Sequence, residues 1–447
     1  MHSSKQFIHR SLFLSALYHG LLLCLALTSC RQKQPVPKDL GLPQLRLQIG
    51  ASDFNKIRQK RGEALARGYL QSSGKDYVTA QLQHNDQTYA AEIRLKGDWL
   101  DHLKGDKWSW RVKLTENDAV LGADQFSLQH PRTRHYLHEW VYHQLLYQED
   151  ILTPRYEFVE LWLNDDYKGI YAFETHFTES ILARQQRPAG VILKFNEDGF
   201  WETQNYRMRY GKNVTVSLPD FEAATIEPFQ KNKVLRDSSL HPAFYTGRQK
   251  LEALRLAQDN ALTPELIDVD YWARFFALTD LAEAYHALRW HNMRWYYHPH
   301  TARLYPIGFD GYSEAGIYRW FRKDFLGKSR PKGNQVFFAE EFFLYFLFNH
   351  PEFQAAYQRQ LLHYTQPAFV QSFLQNISPE LKRLQTALKH EFPAYEYASE
   401  LLPTRAKALA NAAAEYNFAD AAPFQYTIYD PMFAACETTV PLPSVGL

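Results

Sequence analysis

The alternation of apolar and charged residues between Thr88 and Leu114 constrains this fold more than any other feature. From Thr88 to Lys96, Tyr89, Ala91, Ile93 and Leu95 fall on one face, and Glu92, Arg94 and Lys96 on the other. From Lys107 to Leu114, Trp108, Trp110, Val112 and Leu114 alternate in the same way with Ser109, Arg111 and Lys113. A period of two is the pattern of a half-buried strand. Gly97-Asp98 closes the first run, so the two strands are expected to pair antiparallel and carry their Lys and Arg side chains on one face. His135 to Tyr147 follows with helical spacing, its stripe being Leu137, Trp140, Val141 and Leu145. Tyr156 to Leu163, a turn from Asn164 to Gly169, and Ile170 to Thr175 read as a hairpin that carries Glu160 and Glu174. Val191 to Phe195 is a further short strand.

The period then changes. Residues 201 to 245 are polar and irregular and yield no element. Arg248 to Asp259, Val269 to Leu288, Pro351 to Gln366, Phe369 to Glu391 and Pro403 to Glu415 read as helices, with Pro379 expected to break or kink the fourth. The class is α+β, with a strand-rich N-lobe and a helix-rich C-lobe. Near their junction, Arg289 to Gly311 reads as an aromatic hairpin with Asn292 at one end and Asp310 at the other. Two oxygen-bearing side chains brought together there could hold a hard cation such as Mg²⁺. Protein kinases hold the metal on ATP with the same pair of residue types.

The N-terminus reads as a targeting segment, residues 1 to 29. Lys5, His9 and Arg10 precede a largely apolar run from Leu12 to Leu27, which is short for a membrane span. The run ends in Leu27-Thr28-Ser29-Cys30, a tetrapeptide similar to a bacterial lipobox, in which Cys30 is lipidated. A Pro-containing tether, residues 30 to 45, follows. The expectation is an exported bacterial lipoprotein, anchored to a membrane through lipid on its periplasmic or cell-surface side. Of three cysteines only Cys436 lies beyond the lipobox, so no intrachain disulfide is expected. A net charge of +1 argues against a nucleic-acid partner.

Common catalytic signatures are absent. Gly327-Lys328-Ser329 fails as a P-loop because Arg322 stands where its first Gly is required. His286, His291, His298 and His300 crowd together, but a two-stranded ribbon would not converge all four on zinc.

Four blocks, in order, resemble the spore coat protein H (CotH) family, which has an atypical protein-kinase-like fold. They are Ile93 to Asp98 with Lys107 to Leu114; Leu137 through Arg155 to Asn164 and Gly169 to Glu174; His291-Asn292 to Phe309-Asp310; and Asn349 to Tyr357. The resemblance implies a two-lobed kinase-like domain over residues 46 to 420, followed by a tail from 421 to 447. It also implies transfer of phosphate from ATP, with Mg²⁺ or Mn²⁺, to a protein Ser or Thr. Asp310 and Asn292 would then hold the metal. A strand lysine would meet the phosphates: Lys96, Lys107 or Lys113, with Lys113 favoured and Arg111 on its face. Glu160 or Glu174 would pair with that lysine or line the pocket.

The chain departs from the family at the proton acceptor, because no Asp lies between 281 and 291. His286 stands at about that position and is the candidate base. The alternative is a catalytically silent, membrane-anchored binding or assembly protein on the same fold, which the scarcity of ATP outside the cytoplasm would also suit. The anchor is tested by Cys30→Ser. The variant is expected to leave the membrane fraction; a cleaved variant that stays there contradicts the lipid reading.

Overall fold

The computed structural model describes residues 39–116, 118–210, 221, 223–256, 265–314, 336–337, 347, 350–415, 426–428 and 439–440. Residues 1–40 and 41–447 are separate units. The leader with Cys30, the tether up to residue 38, Gly327-Lys328-Ser329, most of the aromatic run from 337 to 347 and most of the tail lie outside the described residues.

Seven strands close into a barrel: β1 (Gln44–Ile49), β2 (Val78–His84), β3 (Gln87–Leu95), β4 (Trp110–Leu114), β5 (Gln125–Gln129), β6 (Tyr156–Leu163) and β7 (Asp166–Thr175). Their order is β1-β2-β3-β4-β5-β7-β6. Neighbours run antiparallel except β1 and β6, whose parallel pairing closes the ring. Closure removes the exposed strand edges that an open sheet must protect. The apolar members of each alternating run point inward. Leu45, Leu82, Ile93, Val112, Phe126, Leu128, Leu161 and Phe173 form one core, joined by Ile57 and Ala64 of the helix Ala51–Arg67.

The outward members of five strands stand in register. Arg94 faces Arg111, Arg111 faces Ser127, Ser127 faces Glu174, and Glu174 faces Tyr156. Where other elements cover this row it is buried: Ser127, Glu174 and Tyr156 are almost wholly out of water. The helix Leu137–Gln148 is one of those covers, its His143 stacking on Tyr156 at 5.3 Å between ring centroids.

A second, four-stranded sheet has the order β11-β10-β8-β9, with β8 (Val191–Phe195), β9 (Ile226–Pro228), β10 (Arg294–His298) and β11 (Arg303–Ile307). β10 and β11 are the aromatic hairpin, paired from Arg294–Ile307 to His298–Arg303. The remaining described chain is mainly helical, so the architecture is mixed α+β. The polar stretch 201–245 continues the helix Asp198–Tyr210 at its start and otherwise holds β9, the helix Lys231–Arg236 and the start of the helix His241–Leu256. These elements are short or mostly exposed, so their apolar periodicity is faint.

Two helix readings need correction. Val269–Leu281 ends seven residues earlier than its periodicity suggests, because Glu283 takes a left-handed backbone (φ 51°). A separate 3-10 turn, Tyr285–Leu288, then carries His286. Pro379 does not end its helix, which runs from Pro367 to Glu391. Buried Val370, Phe373 and Ile377 before it, and Leu384, Ala387 and Leu388 after it, hold both halves to the core. That packing outweighs the roughly 3 kcal/mol a proline costs a helix interior. Among the described residues, no helix is long and apolar enough to cross a membrane.

Candidate functional site

Asp310 follows β11 and is almost fully buried, with its backbone in the left-handed region (φ 57°). A residue other than glycine there needs support from its surroundings. The support comes from the helix Leu137–Gln148. Glu139, fully buried, accepts the backbone N–H groups of Gly311 and Tyr312, each at 3.1 Å. His143, one turn on, hydrogen-bonds Glu139 and Thr153, and the Thr153 hydroxyl donates to the Gly308 carbonyl at 2.8 Å. The loop approaches this helix so closely that a Cβ on Gly308 would come within 2.3 Å of Leu146, and one on Gly311 within 2.8 Å of Tyr142.

Around Asp310 the site assembles. Arg134 Nε lies 2.5 Å from Asp310 Oδ1. His286 Nδ1 lies 3.1 Å from the same oxygen and 2.9 Å from the Asp310 backbone carbonyl. Asn292 Nδ2 lies 3.2 Å from the same ring nitrogen, so three polar groups meet at His286 Nδ1. Asn292 Nδ2 donates to the His286 carbonyl at 2.9 Å, which leaves Oδ1 as the acceptor of that amide. The 3-10 turn bearing His286 is fixed from below. Tyr285 donates to Asp280, which also takes Tyr357 at 2.6 Å and Arg405 at 2.5 Å.

On the barrel side, buried Lys96 donates to Gln129, and Gln129 donates to Glu174 at 3.2 Å. Burial pushes the Lys96 ammonium down to about 8, against the pull of Glu174. The same field reaches the loop, for Lys96 is raised by Asp310 and lowered by Arg134. Burial alone would raise the Asp310 carboxyl; Arg134 and then His286 outweigh it and hold it well below the usual carboxylate range. Arg111, hydrogen-bonded to His176, is pushed down to about 10 by burial and by its cross-strand neighbour Arg94.

The structure therefore brings Lys96, Glu174, His286, Asn292 and Asp310 into one neighbourhood, with Arg111 beside it in the Glu174 row. It does not bring in Lys113 or Glu160. Lys113, the lysine favoured from sequence, is only half-buried and bonds its cross-strand partner Glu92 at 2.9 Å. Its outward direction was legible, but it lies at the uncovered end of the sheet face. Glu160 is buried and accepts from Tyr167 at 2.9 Å. It pairs with Ile170, four residues from Glu174, or about 13 Å along a strand. Lys107 bonds Glu391 and the Ile170 carbonyl instead. The other histidines stand apart: His291 stacks on Phe200 at 4.5 Å, and His298 and His300 sit at the far end of the hairpin. Three participants were missed by sequence reasoning: Arg134, Gln129 and Glu139. Arg134 lies in a short Pro-Arg-Thr-Arg turn without periodicity, and Glu139 lies on a helix read only for its apolar stripe.

Among the described residues, no group of three His, Cys, Asp or Glu side chains forms a metal cage. Asp310 and Asn292 offer one carboxylate and one amide oxygen. That small set suits a cation that brings phosphate and water ligands with it, as Mg²⁺ does.

Residues 93–416, well over half of the chain, match the family described as CotH kinase protein. The chain belongs to this family. The match begins on β3 and ends at the close of the last described helix, so both the Lys96 row and the Asp310 loop fall within it. No curated protein matches the chain.

Glu139 is the testable support of the site. Glu139→Ala leaves two buried N–H groups unpaired, at about 1–3 kcal/mol each. Urea unfolding is expected to show a loss of about 3 kcal/mol, with amide exchange at Gly311 and Tyr312 quickening first. Unchanged stability and exchange would contradict the clamp.

Proposed function

We propose that this CotH family member is a two-lobed, kinase-like phosphotransferase of the cell envelope, held at a membrane by lipid on Cys30. In this reading the barrel serves as the N-lobe, and ATP binds with Mg²⁺ or Mn²⁺ between the Lys96 row and the Asp310 loop. The acceptor is a protein Ser or Thr hydroxyl. The observation that carries the proposal is the convergence of His286, Asn292 and Asp310 in one hydrogen-bonded cluster beside the buried Lys96.

Phosphoryl transfer needs positioning and charge stabilisation more than covalent help from the protein. Lys96, held by Gln129, would meet the phosphates. Asp310 and Asn292 would hold the metal, which when bound neutralises phosphate charge. With its proton on Nδ1, His286 would be oriented by the Asp310 carbonyl and carboxylate, as an orienting acceptor fixes the tautomer of a catalytic histidine. Its Nε2 would take the proton of the attacking hydroxyl. That hydroxyl oxygen would bond to the γ-phosphorus as the bond to the β–γ bridging oxygen breaks and ADP leaves.

The test pairs binding with transfer on the purified full chain. Mg²⁺-dependent ATP binding by calorimetry, with transfer of labelled γ-phosphate to itself or to envelope protein, is the expected result. His286→Ala should cut transfer about 100-fold or more, within the range of general-base catalysis, and leave binding within a few-fold. Binding without transfer in the parent chain would favour the catalytically silent scaffold. No binding would remove the nucleotide reading altogether.

A further inference from the structure

Arg134 has no role in the scheme above, yet it makes the shortest charged contact to the loop. Its guanidinium is nine-tenths buried and lies 2.5 Å from Asp310 Oδ1 through Nε. The contact is one of charge alone: the Nε–H points at no acceptor in hydrogen-bonding geometry. The planar fork that suits arginine to carboxylates and phosphates goes unused on Asp310. Nη1 donates only to the carbonyl of Thr133 next door, at 3.1 Å. Four carboxylates act on this guanidinium, in the order Asp310, Glu174, Glu139 and Asp101. The turn that carries it is held by backbone hydrogen bonds from Thr133 to His130, His135 to Arg132 and Tyr136 to Pro131. Any change of partner must therefore come from side-chain rotation.

Charge balance shows what that rotation would do. Asp310 sits in the field of Arg134, His286 and Lys96, with Arg134 the strongest of the three. A divalent cation arriving alone on Asp310 would be repelled by Arg134 and Lys96, the two buried cations that act on that carboxylate. A cation arriving with a nucleotide's phosphates brings its own negative charge, and those phosphate oxygens are the better-fitting partner for the idle fork.

We propose that Arg134 is a phosphate-binding residue that serves as a placeholder cation, neutralising Asp310 until metal and nucleotide arrive together. Its rotation from the carboxylate to the phosphates makes the two ligands bind jointly. This inference rests on the nucleotide reading given above, but its metal arm stands apart from it.

The experiment is calorimetric titration of the full chain with Mn²⁺ alone, with ATP in the presence of EDTA, and with Mn²⁺ plus ATP. In the parent chain each ligand is expected to tighten the other by about tenfold or more, a typical coupling, and equally in both directions. Arg134→Gln should bind Mn²⁺ alone about tenfold tighter and lose that coupling. Arg134→Lys keeps the charge without the fork, guards against misfolding of the Gln variant, and should lose at least about two-thirds of the coupling. If the parent chain binds Mn²⁺ with ATP and Arg134→Gln binds Mn²⁺ alone no tighter, or Arg134→Lys keeps full coupling, the placeholder role is overturned and the nucleotide reading survives. If no chain binds ATP but Arg134→Gln binds Mn²⁺ tighter than the parent, the nucleotide reading fails and the placeholder role stands without its phosphate arm. If no chain binds either ligand, both are overturned.

Discussion

Burying Asp310 sets the terms for everything around it. A lone carboxylate taken out of water costs several kcal/mol even after relaxation, and that cost is offset only by a paired charge and well-placed donors. Arg134 supplies the charge and His286 a donor. Neither would be in place unless the loop itself were held, and Glu139 holds it through the two N–H groups that follow Asp310. The close approach at Gly308 and Gly311 follows from the same requirement, because any larger residue would push the loop off the helix. One buried acidic residue thus fixes the position of a helix, a turn and a hairpin end.

The barrel meets this loop through the outer face of its sheet. Its interior is an ordinary apolar core, and what is unusual is the outside, where a row of polar and charged residues crosses five strands and is partly buried. Cross-strand register puts Arg111 beside Arg94 and Glu174 beside Ser127 with no freedom to slip, since a one-residue shift would turn the core residues outward. Lys96 lies just past the end of β3, where it reaches Gln129 on a strand two places away. A buried lysine tied to a glutamine and lowered toward neutrality is poorly placed as a stability device. In the proposed reading it receives the phosphates.

Much of this was legible in the residues. Period-two alternation located β3 and β4, their pairing and their charged face, and the aromatic hairpin located Asn292 and Asp310 at neighbouring ends of one ribbon. What stayed hidden were the partners that only folding supplies. Alternation says that Arg94, Lys96, Arg111 and Lys113 share a direction; it does not say which end of the face is covered, so Lys113 was preferred to Lys96. Glu139 lies off the apolar stripe of its helix, yet it is buried too. Arg134 sits in a turn with no period to read. The helix break at Glu283, which puts His286 on its own turn, depends on a left-handed residue that no spacing announces.

In the proposed reading the Lys96 row and the Asp310 loop are the two walls of one nucleotide–metal site. A crystal structure of the full chain grown with Mn²⁺ and a non-hydrolysable ATP analogue tests it most directly. An anomalous manganese peak is expected roughly 2.1 Å from an Asp310 carboxylate oxygen, a hard-cation bond length, with the phosphates against Lys96. A nucleotide bound elsewhere, or manganese away from Asp310, would contradict it.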